Sequence, residues 1–110
     1  TVFIEEAMLD LVHNHYEDDL SLNECAVKLN YHPNYLGKVF RKEMGISFSD
    51  YLAGYRLSVA KKWLEQTDMK VGDIARRLRY THTQNFIRGF SKEVGITPGQ
   101  YREQKNKKVL

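Results

Sequence analysis

The second half of this 110-residue chain repeats the first. At an offset of 49, Ala26, Leu29 and Tyr31 align with Ala75, Leu78 and Tyr80. At an offset of 50, Phe40, Lys42, Glu43, Gly45, Ile46 and Tyr51 align with Phe90, Lys92, Glu93, Gly95, Ile96 and Tyr101. The offset changes by one residue in the turn that precedes the third helix of one half and its counterpart in the other. A turn tolerates an insertion, whereas one inside a helix would rotate its apolar face by about 100°. Each half therefore reads as a short helix, a tight turn, a longer helix, a glycine stop and a new helix start.

Helical spacing recurs along the chain, and the strict alternation of strands is absent. Ile4, Ala7, Met8, Leu11 and Val12 form one apolar stripe, which predicts a helix over residues 2–16. Ser21-Leu22-Asn23-Glu24 has the spacing of a capping box, with Leu20 placed to pack on Cys25. The second helix then runs from Leu22 to about Leu29, and Asn30 suits a left-handed stop. Pro33 fits the first turn of a third helix, whose apolar edge is Leu36, Val39, Phe40 and Met44 and whose end is Gly45. A long fourth helix is expected over about 48–66. The second cycle predicts helix five from Val71 to Leu78, a capping box at Thr81-His82-Thr83-Gln84, helix six ending at Gly95, and a short seventh helix from Thr97-Pro98 to near Arg102. Residues 103–110 read as a frayed polar tail. The expected fold is all-α: two helix-turn-helix subdomains joined by a long linker helix, about seven helices in total. The first lobe covers about 5–46, the linker helix about 48–66, and the second lobe about 70–102, followed by the tail 103–110.

Charge is distributed unevenly. Residues 1–24 carry seven acids and no Lys or Arg; residues 25–110 carry all 17 Lys and Arg against the other seven acids, a balance of +10. A basic body with an acidic end suits an anionic partner met from one side. The longer helix of each pair also has an outward face that the core does not need. In the first half it holds Asn34, Gly37, Lys38, Arg41 and Lys42; in the second, Thr83, Gln84, Asn85, Arg88 and Lys92. Asn and Gln pair bidentately with adenine, and Arg and Lys suit guanine or phosphate. A double-stranded DNA partner is the expectation. The bland alternative is a helical scaffold with solubilising faces, but stacked-repeat proteins need more than two repeats.

No apolar run approaches the roughly 18 residues of a membrane span, and the acidic start does not read as a signal peptide. One cysteine, Cys25, excludes an internal disulfide, so a reducing cytoplasm is expected. No enzyme is expected. His13, His15, His32 and His82 lack metal-ligand spacing, Cys25 lies on an inward helix face, and no phosphate-binding glycine loop or Ser/His/Asp set is present. No cofactor, metal or catalytic residue is therefore assigned.

The run Leu36-Gly37-Lys38-Val39-Phe40-Arg41-Lys42-Glu43-Met44-Gly45-Ile46, continued by Tyr51-Leu52, Arg56-Leu57 and Ala60, resembles the first half of the AraC/XylS-type DNA-binding domain. Ile74-Ala75, Tyr80, Asn85-Phe86-Ile87-Arg88-Gly89-Phe90 and Gly95-Ile96-Thr97-Pro98-Gly99-Gln100-Tyr101-Arg102 resemble its second half. The resemblance covers about residues 5–102. It implies two recognition helices in successive major grooves, and regulation of bacterial transcription, usually activation, through RNA polymerase. Because only the DNA-reading part is matched, it also implies a fused sensory or dimerisation domain elsewhere. A linker of about 18 residues is about 27 Å long, compatible with recognition helices about 34 Å apart once lobe thickness is added. Position by position, the resemblance puts base-edge contacts at Asn34, Gly37 and Lys38 and at Gln84, Asn85 and Arg88. It puts backbone contacts at His32, Tyr35, Arg41, Thr81, Thr83 and Lys92.

Three departures from the family pattern stand out. Arg79 replaces the usual glycine before Tyr80; a left-handed backbone there would cost about 1 kcal/mol, and a reach to phosphate is the expected return. Lys70 stands where Ser or Thr would cap helix five, and His32 where Ser is common. The competing reading is a helical protein–protein interaction module, using Tyr16, Tyr35 and the acidic first helix. It predicts affinity indifferent to salt, whereas phosphate-based binding weakens steeply with it.

Overall fold

The computed structural model describes residues 3–107. Seven α-helices make up its secondary structure, and no strand occurs among the described residues. They are α1 (Ile4–His15), α2 (Leu22–Leu29), α3 (Pro33–Met44), α4 (Phe48–Gln66), α5 (Val71–Arg77), α6 (Thr83–Val94) and α7 (Pro98–Lys107). The chain divides into two compact units between Tyr55 and Arg56, inside α4. The first half of α4 thus packs with α1–α3, and its second half with α5–α7.

In unit one, Met8 and Val12 of α1, Cys25 and Ala26 of α2, Leu36 and Phe40 of α3, and Phe48 and Leu52 of α4 form one buried cluster that Leu20 completes. Each is the residue that helical spacing turns inward, and each fully buried side chain of this kind contributes about 1.5–3 kcal/mol. Phe40 meets Phe48 and Tyr51 edge-on, at 5.4 and 5.7 Å between ring centroids. In unit two the buried residues are Val59, Ala60, Leu64, Ile74, Ala75, Leu78, Phe86 and Phe90, with Pro98 also enclosed. Phe90 and Tyr101 reproduce the Phe40–Tyr51 pair at 5.5 Å.

Helix ends follow local chemistry. The Ser21 hydroxyl accepts from the Glu24 amide at 3.2 Å. Ser47 and Thr97 take the same role for Asp50 and Gln100, both at 3.1 Å. At the second of these sites the Gln100 carboxamide oxygen also accepts from the Thr97 amide at 3.0 Å, closing a reciprocal box. Gly45 and Gly95 end α3 and α6 with φ of 78° and 94°, where a Cβ would be strained.

Four expectations need correction. The first helix is shorter than residues 2–16: it spans Ile4–His15 with Tyr16 as its cap, and residue 2 lies outside the described residues. Helix five ends at Arg77, with Leu78 as cap residue. The box at Thr81-His82-Thr83-Gln84 does not form. His82 is the N-cap, no side chain caps α6, and the His82 carbonyl instead accepts from the Asn85 amide at 3.0 Å. Thr81 lies one residue too early, a consequence of the register change in the preceding turn.

α7 does not stop near Arg102 but continues to Lys107; residues 108–110 lie outside the described residues. The Arg102 guanidinium donates to the carbonyls of Leu64 (3.0 Å) and Thr67 (3.2 Å), the Tyr101 hydroxyl donates to Glu65 at 2.9 Å, and Lys105 lies over the Tyr101 ring. These contacts hold α7 to the end of α4, and Glu103-Gln104-Lys105 are good helix formers that let it continue.

Candidate nucleic-acid interface

Each unit contains a short helix, a tight turn and a longer helix: α2–α3 in unit one and α5–α6 in unit two. The two turns close alike at two points. Asn30 and Arg79 are the two non-glycine residues with positive φ among the described residues, 60° and 69°. The next amide in each, Tyr31 and Tyr80, reaches back to the carbonyl of Ala26 at 3.1 Å and of Ala75 at 3.0 Å. This left-handed stop reverses the chain in the fewest residues. It lets Ala26 and Ala75, both buried, sit under the longer helix.

The longer helices are amphipathic. α3 buries Leu36 and Phe40, and α6 buries Phe86 and Phe90. The opposite faces are open to solvent. Asn34, Lys38, Arg41 and Lys42 are exposed on α3, as are Thr83, Gln84, Asn85, Arg88 and Lys92 on α6. Asn34, Lys38 and Arg41 follow one another at spacings of four and three, so they share a stripe. Gln84 and Arg88 share one on α6 in the same way. Tyr35, Thr81 and Arg79 are also exposed. Gly37 stands apart, because it is half-buried and a Cβ there would approach Leu22 Cδ1 of α2 to 3.3 Å.

His32 has a defined role. Its Nδ1 accepts from the Asn34 amide at 3.2 Å, capping α3. A ring nitrogen that accepts is unprotonated, so in the neutral ring the proton sits on Nε2, leaving an N–H donor at the helix start. The counterpart His82 makes no such bond, and Lys70 likewise offers α5 no side-chain cap. Sequence reasoning did not single out Tyr31 as a surface residue. Its ring lies 5.7 Å from that of Tyr35, and both are nearly half exposed, at 45% and 49%. The spacing of four between two tyrosines across a turn was the available signal.

The remaining reactive groups lie apart from these faces. Cys25 is fully buried, and burial first, then the neighbouring Glu24 carboxylate, push its thiol up to about 11. A thiol so rarely ionised is a poor nucleophile. His13 is hydrogen-bonded to Tyr51 at 3.0 Å and packs on the Tyr55 ring, and His15 pairs with Asp18 at 2.9 Å. No group of His, Cys, Asp and Glu among the described residues could hold a metal ion, and no described helix is long and apolar enough to cross a membrane.

Residues 25–104 match the family described as Helix-turn-helix domain. The chain is 53% identical over 102 residues to the uncharacterized HTH-type transcriptional regulator YtdP of Bacillus subtilis (strain 168), covering 93% of this chain and 13% of that protein. Across the curated relatives compared, the chain spans from 13% to 40% of their length. Among solved structures, the C-terminal domain of AraT, a response regulator from Geobacillus stearothermophilus, superposes with a TM-score of 0.88 at 32% identity, over 94% of this chain and 86% of that one. The DNA-binding domain of AdpA, described as a global transcriptional factor in complex with a target DNA, has the same fold. Its TM-score is 0.84 at 18% identity, over 96% and 94% of the two chains. With the family matched over most of its length and the two-unit helix-turn-helix fold in place, this chain belongs to the AraC-type helix-turn-helix family, whose members are DNA-binding transcriptional regulators and not enzymes.

Proposed function

We propose that α3 and α6 each enter the major groove of one duplex, in successive segments, and that a longer cytoplasmic protein uses this reader to regulate transcription. The observation that carries the reading is the pair of exposed faces built alike on the two halves. Each carries amide and cationic side chains, and each lies on the longer helix of a tight turn. Asn34, Gly37 and Lys38 then face base edges in one box, and Gln84, Asn85 and Arg88 in the other. His32, Tyr35, Arg41, Thr81, Thr83, Lys92 and Arg79 face the phosphates and set register. The Nε2–H of His32 suits a phosphate oxygen, and the first amides of α6, without a side-chain cap, suit another.

Activation through RNA polymerase, and control by a sensory or dimerisation domain outside this chain, complete the proposal. They rest on the family resemblance and on the greater length of the relatives. Selection from a random duplex library tests the reading. The expected product is an asymmetric site with two short boxes about one helical turn apart. Affinity should fall steeply between low and physiological salt, with a log–log slope of several units. A protein that selects no duplex, or whose binding ignores salt, would instead be the interaction module.

A further inference from the structure

The outer face of α3 is not a continuous ridge. At Gly37 it drops into a recess of about 370 Å³, lined by Leu22, Pro33, Asn34, Gly37, Lys38 and Arg41. Leu22 and Pro33, both half-buried, supply its apolar surface, and Asn34, Lys38 and Arg41, all exposed, supply its polar rim. Leu22 lies close against the glycine, since a Cβ at Gly37 would stand 3.3 Å from Leu22 Cδ1 and narrow the recess further. At the offset of 50 the matching position in α6 is Ile87, a half-buried side chain in place of the glycine. The two readers are therefore alike in fold but differ here in shape.

The geometry points to a subsite for the 5-methyl group of a thymine, formed by Gly37 and Leu22 of the first helix-turn-helix. Resting on the proposed DNA reading above, it makes that reading more specific. Among the four bases only thymine carries an apolar group into the major groove. A recess with an apolar floor and a cationic and amide rim matches that edge: the methyl enters the recess, Asn34 and Lys38 stay beside the base edges, and Arg41 lies against the phosphates. Lobe one thus adds discrimination by shape to the hydrogen bonding of Asn34 and Lys38, where lobe two relies on Gln84, Asn85 and Arg88. Any side chain at position 37 occupies the space the methyl needs.

The test uses the duplex obtained from the random selection. Each thymine in the box protected by lobe one is replaced, one at a time, by deoxyuridine, which removes only the methyl group. One such replacement should weaken binding about three- to fivefold, the effect of one buried methyl-sized group. The same replacement should have no effect on Gly37→Ile, which copies lobe two. Gly37→Ala, a milder change at a flexible leucine end, should show an intermediate loss, and circular dichroism checks that both variants fold. If the native protein binds every deoxyuridine duplex as tightly as the thymine one, or if its box has no fixed thymine, the methyl subsite is overturned while DNA binding stands. If it binds no duplex at all, the underlying reading falls with it.

Discussion

Asn30 and Arg79 occupy the same position in two copies of one turn, with left-handed φ of 60° and 69°. Asn adopts this conformation more readily than most residues because its short polar side chain can hydrogen-bond to the nearby backbone, and any residue with a Cβ pays a backbone cost there that glycine does not. Arg79→Gly should therefore raise the stability of unit two by about 1 kcal/mol in chemical denaturation. If Arg79 holds a phosphate, the same variant should lose roughly one unit of salt slope in DNA binding. A variant with an unchanged slope would leave the arginine without the proposed contact.

Tyr101 ties α7 to α4 through its hydrogen bond to Glu65. Burial first, and then the Glu65 hydrogen bond and charge, push its hydroxyl up from 10 to about 12. The protonated phenol is favoured in the folded state, so this contribution is complete below pH 10 and is lost as pH rises toward 12. Tyr101→Phe should destabilise the protein by about 1 kcal/mol at pH 8. The gap between variant and native should narrow over pH 10–12, as read from denaturant midpoints.

Cys25 should resist an aromatic disulfide reagent at pH 8 in the folded protein and react at once in denaturant, since it is fully enclosed and its thiol is pushed up to about 11. Its folded-state value also lies above the ordinary 9.0, so its share of stability is intact below pH 9 and declines toward pH 11. Cys25→Ser, which buries a hydroxyl in an apolar site, should cost about 1–3 kcal/mol. Rapid labelling under native conditions would mean that unit one opens far more often than its packing implies.

Gly54 sits within α4, exposed, with open space where a Cβ would be. Gly54→Ala should stabilise the chain by about 0.5–1 kcal/mol through helix propensity alone. Thermal unfolding measures this directly, and a loss of stability would show that the position meets something the fold does not reveal.

Arg88→Ala should relax base preference at one position of the second box by about 1–3 kcal/mol and leave the first box unchanged. Lys92→Ala should instead weaken binding to all sequences alike. Repeating the duplex selection with each variant separates the two behaviours; a uniform loss for Arg88→Ala would reassign it to the backbone.

Most helix limits were legible because they depend on neighbours in the chain. Ser21, Asn30, Gly45 and Gly95 act within a few residues of themselves, and the structure has them at the caps where spacing put them. The box at Thr81 failed for a related reason: one residue of slack in a turn moves the cap, and local chemistry does not reveal which residue is extra. The length of α7 was present in the repeat but not in its composition. At the offset of 50, Tyr101 matches Tyr51, so α7 is the counterpart of the first half of α4 and not of a tail.

The amino-acid order alone determined the duplicated helix-turn-helix plan, the buried stripe and the polar stripe of each longer helix, because 3.6-residue periodicity and caps are short-range properties. Tertiary packing decided which helix ends are anchored and which surfaces are shaped. Arg102 holds the carbonyls of Leu64 and Thr67 from 35 or more residues away, and Gly37 matters through Leu22 on another helix. Both contacts join segments that no local pattern brings together; only the closing of the core does so.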